Sequence, residues 1–194
     1  GFQAAGWICF KPANRGPKVM KEILPALIFM LTVVSVSSQG EPGVNLDLGV
    51  IVDTFAPGDL VELPVTLVTR YDPQVGSVSF EVAFPAAVLS FKGAALGGAV
   101  KTEGAELNTQ LRDGEDGERK ILSVDISSTE AIGQGLLVML TFEVSQEIAI
   151  NHDIQVENLS QSSKSLDGGD LSARGLDGSI TSIEFIPACF FYMH

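Results

Sequence analysis

The chain has 194 residues and is acidic, with 24 Asp and Glu residues against 12 Lys and Arg residues and a formal net charge of −12. This charge repels the phosphates of nucleic acids, so we expect no nucleic-acid partner. The two cysteines, Cys9 and Cys189, lie near opposite ends of the chain. The long segment between them therefore cannot hold a disulfide framework or a thiolate metal site.

Residues 20–38 have the features of a secretory signal peptide. Lys21 follows Met20, an apolar stretch runs from Ile23 to Val34, and Ser38 stands at the position of a cleavage site. The apolar stretch is shorter than the roughly 20 residues that a membrane-spanning helix needs. We therefore expect a secreted protein, extracellular or at the cell surface, with no membrane span in the mature chain. The alternative is that this apolar stretch is retained as a permanent membrane anchor.

Residues 1–19 share no pattern with the rest of the chain, and we interpret them as an upstream or unstructured extension. Cleavage after residue 38 would remove four basic side chains and one acidic one, leaving a net charge of −15. High negative charge favours solubility, as expected for an extracellular protein.

From Leu46 onward, short segments of alternating apolar and polar residues are separated by Gly, Pro, Asp and Asn. This pattern predicts β-strands joined by turns. The predicted strands are approximately Leu46–Val52, Val61–Leu67, Val75–Phe84, Val88–Lys92, Leu107–Arg112, Ile121–Ser127, Gly135–Val144, Asp153–Leu159 and one that begins at Gly178. About nine strands without a long helix predict an all-β fold, an antiparallel β-sandwich.

The connections between these strands carry recognisable turn residues. Pro57-Gly58-Asp59 predicts a tight turn, and the charged segment 113–120 predicts a hairpin turn. The Gly-rich segment 93–98 predicts a loop or a bulged edge, and a short helix is predicted over residues 128–132 because Ser and Thr residues there can cap it.

The segment Gly135–Val144 is the most apolar of the predicted strands. Its inner residues are predicted to be Val138, Leu140, Phe142 and Val144, which leaves Leu137 and Met139 on the solvent face. Two apolar side chains on a solvent face indicate a covered patch, which is either a partner surface or a site covered by a loop or by the tail.

Few residues in the predicted domain could perform catalysis. His152 and His194 are the only histidines, so neither a zinc site of the usual kind nor a Ser-His-Asp triad is expected. Asp167, Asp170 and Asp177 lie among glycines, a pattern compatible with a calcium loop but also with ordinary turns. We predict that the protein is not an enzyme and carries no cofactor.

Several motifs between Leu46 and Ile180 resemble the cohesin domain. They are APGDLVELPVTL after the first strand, SVSFEVAFPAAVLSFKGA, KILSVDIS and GLLVMLTFEVS. The resemblance implies a non-catalytic jelly-roll sandwich that binds a dockerin, a small calcium-loaded helical module on another protein. Calcium is then expected on the partner and not on this chain.

The resemblance also implies a binding face made of the strands at Val75–Phe84, Leu107–Arg112, Ile121–Ser127 and Gly135–Val144. The outward residues of these strands are the candidate partner-binding residues. They are Ser77, Ser79, Glu81, Asn108, Gln110, Arg112, Ser123, Asp125, Leu137, Met139 and Glu143.

The alternative function is a carbohydrate-binding module of similar sandwich shape, with polysaccharide as the partner. Such modules usually stack sugar rings on exposed aromatic side chains. Trp7 precedes the signal peptide, Tyr71 lies near a turn, and Phe80, Phe84 and Phe142 are predicted to face inward. The sequence therefore favours a protein-binding domain over residues 39–180, followed by an atypical aromatic and apolar tail over residues 181–194.

Overall fold

The computed structural model describes residues 43–145 and 153–183, and every regular element in these ranges is a strand. The strands are β1 (Gly43–Leu48), β2 (Val50–Asp53), β3 (Leu60–Arg70), β4 (Val75–Pro85), β5 (Leu89–Leu96), β6 (Ala105–Asp113), β7 (Arg119–Ile132), β8 (Gly135–Val144), β9 (Asp153–Ser165), β10 (Asp170–Leu176) and β11 (Gly178–Ser182). Within the same ranges, no helix is long and apolar enough to cross a membrane. The predicted extension, the signal peptide and residues 184–194 of the tail lie outside the described residues.

The strands form one continuous hydrogen-bonded series, in the order β5-β8-β3-β1-β10-β9-β4-β7-β6, that encloses a core. We call the part β5-β8-β3-β1-β10 the first sheet and the part β9-β4-β7-β6 the second sheet. Strand β10 also pairs with β9 over two residues, and β11 pairs with both β9 and β2. The all-β sandwich prediction is confirmed. Most pairings are antiparallel, but β1 and β10 are parallel, as are β2 and β11.

The inner side chains of the two sheets form the hydrophobic core. Strand β4 contributes Val78, Phe80, Val82 and Phe84, all at most 2% exposed, as its alternation predicts. The ring of Phe84 meets that of Phe142 on β8 edge to face, with centroids 4.9 Å apart. This pair packs the second sheet against the first. Burial of each Phe side chain contributes roughly 1.5–3 kcal/mol to the free energy of folding.

The predicted helix and the first predicted strand are wrong. The predicted helix at residues 128–132 is part of β7, because Ile132 is buried and pairs with Val75 of β4. The predicted strand Leu46–Val52 is two strands, separated at Gly49, whose amide donates to the carbonyl oxygen of Pro64 at 2.8 Å.

The turns agree with their sequence signals. Gly58 has a φ of +95°, and the Asp59 amide closes its turn onto the Ala56 carbonyl oxygen at 3.0 Å. In the β6–β7 hairpin, the Gly114 amide donates to the Arg119 carbonyl oxygen at 2.9 Å. The register of β5 against β8 shifts just before Gly93, which confirms a bulged edge there.

Candidate functional site

The outer face of the second sheet is a polar surface, which we call the front face. Strand register places its side chains in rows across β6, β7, β4 and β9. One row holds Asn108, Asp125, Ser79 and Ser162, and the next holds Gln110, Ser123, Glu81 and Ser160. Ser77 and Arg112 lie at neighbouring outward positions of β4 and β6. The structure therefore brings together the predicted residues of β4, β6 and β7. Their role in binding stays a prediction.

Glu81 lies at the centre of the front face and is held by three neighbouring strands. Its carboxylate accepts hydrogen bonds from the Ser123 hydroxyl at 3.0 Å and the Ser160 hydroxyl at 3.2 Å. The Arg112 Nη2 atom lies 3.2 Å from both carboxylate oxygens. Because β6, β7 and β9 all donate to one carboxylate of β4, the network fixes the relative positions of four strands.

This network lowers the pKa of Glu81 below its ordinary value of 4.5. The hydrogen bond from Ser123 is the largest cause, and partial burial acts in the opposite direction. The hydrogen bond and charge of Arg112, together with the bond from Ser160, favour the ionised form further. The front face therefore presents a carboxylate that stays ionised at neutral pH.

A shallow depression of about 390 Å³ surrounds this carboxylate. The residues that line it are Ser79, Phe80, Glu81, Gln110, Ser123, Asp125, Ser160, Gln161 and Ser162, and the outward side chains among them carry hydroxyl, amide and carboxylate groups. At the end of the face, Arg119 and Glu157 form an ion pair at 2.5 Å. Such a surface can form many directional hydrogen bonds with a partner. The described residues include no His or Cys and no group of three potential metal ligands.

The predicted contribution of β8 to this face is wrong. Strand β8 lies in the first sheet between β5 and β3, so its side chains cannot reach the front face. Leu137 was expected to face solvent, but it is fully buried. The register of β3 against β8 shifts between Val65 and Thr66, whose partners are Val138 and Leu136. Leu137 is the extra residue of this bulge and lies in the core.

Met139 and Glu143 lie on the outer face of the first sheet. Met139 is half-buried and stands opposite Pro64 of β3 and Ala95 of β5. Glu143 forms an ion pair with Lys92 of β5 at 2.7 Å. These two residues therefore belong to the surface opposite the front face.

Two front-face residues, Ser160 and Ser162, were missed by sequence reasoning. They follow Leu159, where the strand was predicted to end, but β9 continues to Ser165. The inner positions of this extension are Gln161 and Ser163, so the sequence lacks the usual apolar alternation. Ser163 is nevertheless buried, and its hydroxyl donates to the backbone oxygen of Ser77 at 3.1 Å.

The aspartates of the predicted calcium loop do not form one group. Strand β10, which the sequence did not predict, separates Asp167 from Asp177. Asp167 accepts hydrogen bonds from the Ser165 hydroxyl and, at 3.3 Å, from the Gly169 amide. Asp177 accepts a hydrogen bond from the backbone N–H of Asn158 at 2.7 Å. Asp167 therefore lies in the turn before β10, whereas Asp177 links the residue after β10 to β9.

Solved structures of similar fold include cohesins from several organisms. A non-cellulosomal cohesin from the hyperthermophilic archaeon Archaeoglobus fulgidus is 17% identical, with a TM-score of 0.57, and the match covers 73% of this chain and 92% of that chain. The sixth cohesin of scaffoldin B from Acetivibrio cellulolyticus, in complex with a mutant Cel5 dockerin, is 22% identical, with a TM-score of 0.59 and coverage of 72% and 99%. The complex Coh-OlpA-Doc918 from Clostridium thermocellum gives 20% identity, a TM-score of 0.58 and coverage of 73% and 99%.

These likenesses support the sandwich fold. A search of curated proteins found no match to the chain. The family model of the cohesin domain matches residues 34–181, which is well over half of the chain. The chain therefore belongs to the cohesin domain family.

Proposed function

We propose that this chain is a secreted, non-catalytic module whose front face binds a calcium-loaded dockerin carried by another protein. Membership of the cohesin family supports the class of partner. Two of the similar structures are complexes of a cohesin with a dockerin. Calcium belongs to the dockerin in this proposal, and the chain itself needs no cofactor.

The observation that carries the proposal is the Glu81 network at the centre of the front face. The carboxylate is fixed by side chains of three other strands before any partner arrives. A pre-organised polar group loses little conformational entropy on binding, so its hydrogen bonds contribute more of their energy to affinity. Around it, Ser79, Gln110 and Ser162 offer further donors and acceptors to the side chains of a docked helix.

The front face does not favour the carbohydrate-binding alternative. Phe80, Phe84 and Phe142 are at most 2% exposed, so none can offer a flat ring surface to a sugar. The surface that remains is built of hydroxyl, amide and charged groups, which suits a hydrogen-bonded protein interface.

The test is calorimetric titration of the chain with a panel of calcium-loaded dockerins, using wild type, Glu81→Gln and Glu143→Gln. Glu143 is the matched control, because it is also a strand carboxylate in an ion pair but lies on the opposite surface. Hydrogen bonds to charged groups contribute about 1.5–3 kcal/mol, so Glu81→Gln is expected to weaken binding at least roughly tenfold. Equal affinity of both variants and wild type would exclude the front face as the binding surface.

A further inference from the structure

The outer face of the first sheet contains a cleft of about 630 Å³, where β3 ends and β1 and β10 begin. We call it the arginine cleft. Its lining residues are Gly43, Val44, Asn45, Arg70, Tyr71, Ser172 and Arg174. In the strand register, Gly43 lies between Arg70 and Ser172, and Asn45 lies beside Arg174. The cleft therefore opens on the surface opposite the front face.

The arginine cleft is cationic in an otherwise acidic chain. Arg70 and Arg174 form no ion pair with another described residue, whereas Lys92, Arg112 and Arg119 all do. Among the described lining residues, none is acidic. Two guanidinium groups that pair with no described acidic side chain thus line one concavity, which is an arrangement that attracts an anion.

The floor of the cleft is open because Gly43 has no side chain. A Cβ atom there would lie 2.7 Å from the Ser172 carbonyl oxygen, so a larger residue cannot be accommodated without a shift of the backbone. Asn45 and Ser172 flank this gap and offer neutral hydrogen-bonding groups. The volume lies within the range of sites that hold small ligands.

Tyr71 forms the rim of the cleft in an unusual backbone conformation. Its φ is +59°, and that of Asp72 is +47°, so the two residues that follow β3 are both left-handed. A positive φ is disfavoured for a bulky side chain. The Tyr71 side chain is nevertheless 68% exposed and has no aromatic partner among the described residues. A strained residue whose ring is exposed at the rim of a cleft is a candidate for contact with a ligand.

We propose that the arginine cleft binds an acidic saccharide, namely a uronate unit of a polysaccharide. The carboxylate of the sugar would pair with Arg70 and Arg174, whose guanidinium groups match its geometry. The apolar face of the sugar ring would lie on Tyr71, and its hydroxyls would bond to Asn45 and Ser172. Because the cleft and the front face lie on different sheets, a saccharide and a protein partner can be bound at the same time.

The test is affinity electrophoresis of the full chain through gels that contain polygalacturonate or, in parallel, its fully methyl-esterified form. Arg70→Gln and Arg174→Gln are compared with Lys101→Gln, which removes the same charge from an exposed site outside the cleft. We expect retardation of the wild type by polygalacturonate alone, with a dissociation constant at least about tenfold higher for each arginine variant and unchanged for Lys101→Gln. Absence of retardation, or equal retardation of all three variants, would overturn the proposal.

Two further arms separate a saccharide site from a site for any anion. Galacturonate is expected to displace polygalacturonate at concentrations at which inorganic sulfate does not. Equal displacement by sulfate would contradict a saccharide-specific site. Tyr71→Gly removes the ring and relieves the positive φ. We expect this variant to bind polygalacturonate more weakly while it unfolds at a higher temperature, a combination that a merely structural role of Tyr71 does not produce. Unchanged retardation of this variant would show that the Tyr71 ring does not contact the saccharide.

Discussion

Leu137 and Met139 provide the sharpest test of the strand arrangement, because a regular strand would place them on the same side of β8. In the structure, the bulge opposite Val65 and Thr66 turns Leu137 into the core, while Met139 stays half-buried on the outer face. The two substitutions Leu137→Ala and Met139→Ala should therefore have different consequences, although each removes a side chain of similar size.

The two variants should lose different amounts of stability because the two side chains are buried to different extents. Leu137 is 0% exposed, and removal of such a side chain costs about 2–5 kcal/mol, from lost transfer free energy and from the cavity that remains. For a domain of this size, about 3 kcal/mol corresponds to a decrease in Tm of roughly 10 °C. Met139 retains contact with solvent, so Met139→Ala should cost about 1 kcal/mol or less.

The assay is urea denaturation at 25 °C together with thermal unfolding, followed by dockerin titration of both variants under folding conditions. We expect both variants to bind the dockerin with wild-type affinity, because β8 does not reach the front face. Equal losses of stability for the two variants would refute the bulge. Loss of dockerin affinity for Met139→Ala without loss of folding would place β8 in the interface and refute the assignment of the front face.

Three further predictions concern single positions. Because the pKa of Glu81 is lowered below 4.5, its ionised form stabilises the fold above that pH, and this contribution is lost as the pH falls through the lower folded value. In urea titrations, the stability difference between wild type and Glu81→Gln should be constant above about pH 5 and shrink in more acidic buffer, and a difference that widens on acidification would contradict the network. Gly97→Ala should destabilise the domain by about 1–3 kcal/mol, because a Cβ atom at Gly97 would lie 2.2 Å from the Leu136 carbonyl oxygen. The control is Gly98→Ala, whose Cβ atom would meet no atom within 4 Å and which should leave stability unchanged in the same assay. Relief of the positive φ in Tyr71→Gly should raise stability by about 1 kcal/mol in thermal unfolding, and a destabilised variant would mean that the ring has a packing role.

The sequence was most informative where one face of a strand is uniformly apolar. On β4, the alternation of Val78, Phe80 and Val82 with Ser79 and Glu81 is sufficient to predict which residues are buried, and the structure agrees. The predicted turns at Gly58 and Gly114 agree as well, because each depends on residues within a few positions of one another. Local patterns thus predicted most of the strands and most of the residues on the front face.

The errors have long-range causes. The place of β8 in the first sheet depends on which strands become neighbours, and the alternation within β8 carries no such information. The inward turn of Leu137 depends on a register shift against β3. Strand β9 beyond Leu159 was missed because its inner residues, Gln161 and Ser163, are polar and are accommodated by pairing with β4. The arginine cleft unites the ends of β1, β3 and β10, which are far apart in the sequence.

The most direct test of the central claim is calorimetric titration of the wild-type chain with calcium-loaded dockerins, with and without EDTA. If the front face binds a dockerin, we expect saturable binding to at least one dockerin that is lost on calcium removal. This binding should be weakened at least about tenfold by Glu81→Gln but not by Glu143→Gln. Calcium-dependent binding that is indifferent to Glu81→Gln and is lost in Glu143→Gln would place the partner on the opposite sheet and contradict the proposal that the front face binds the dockerin.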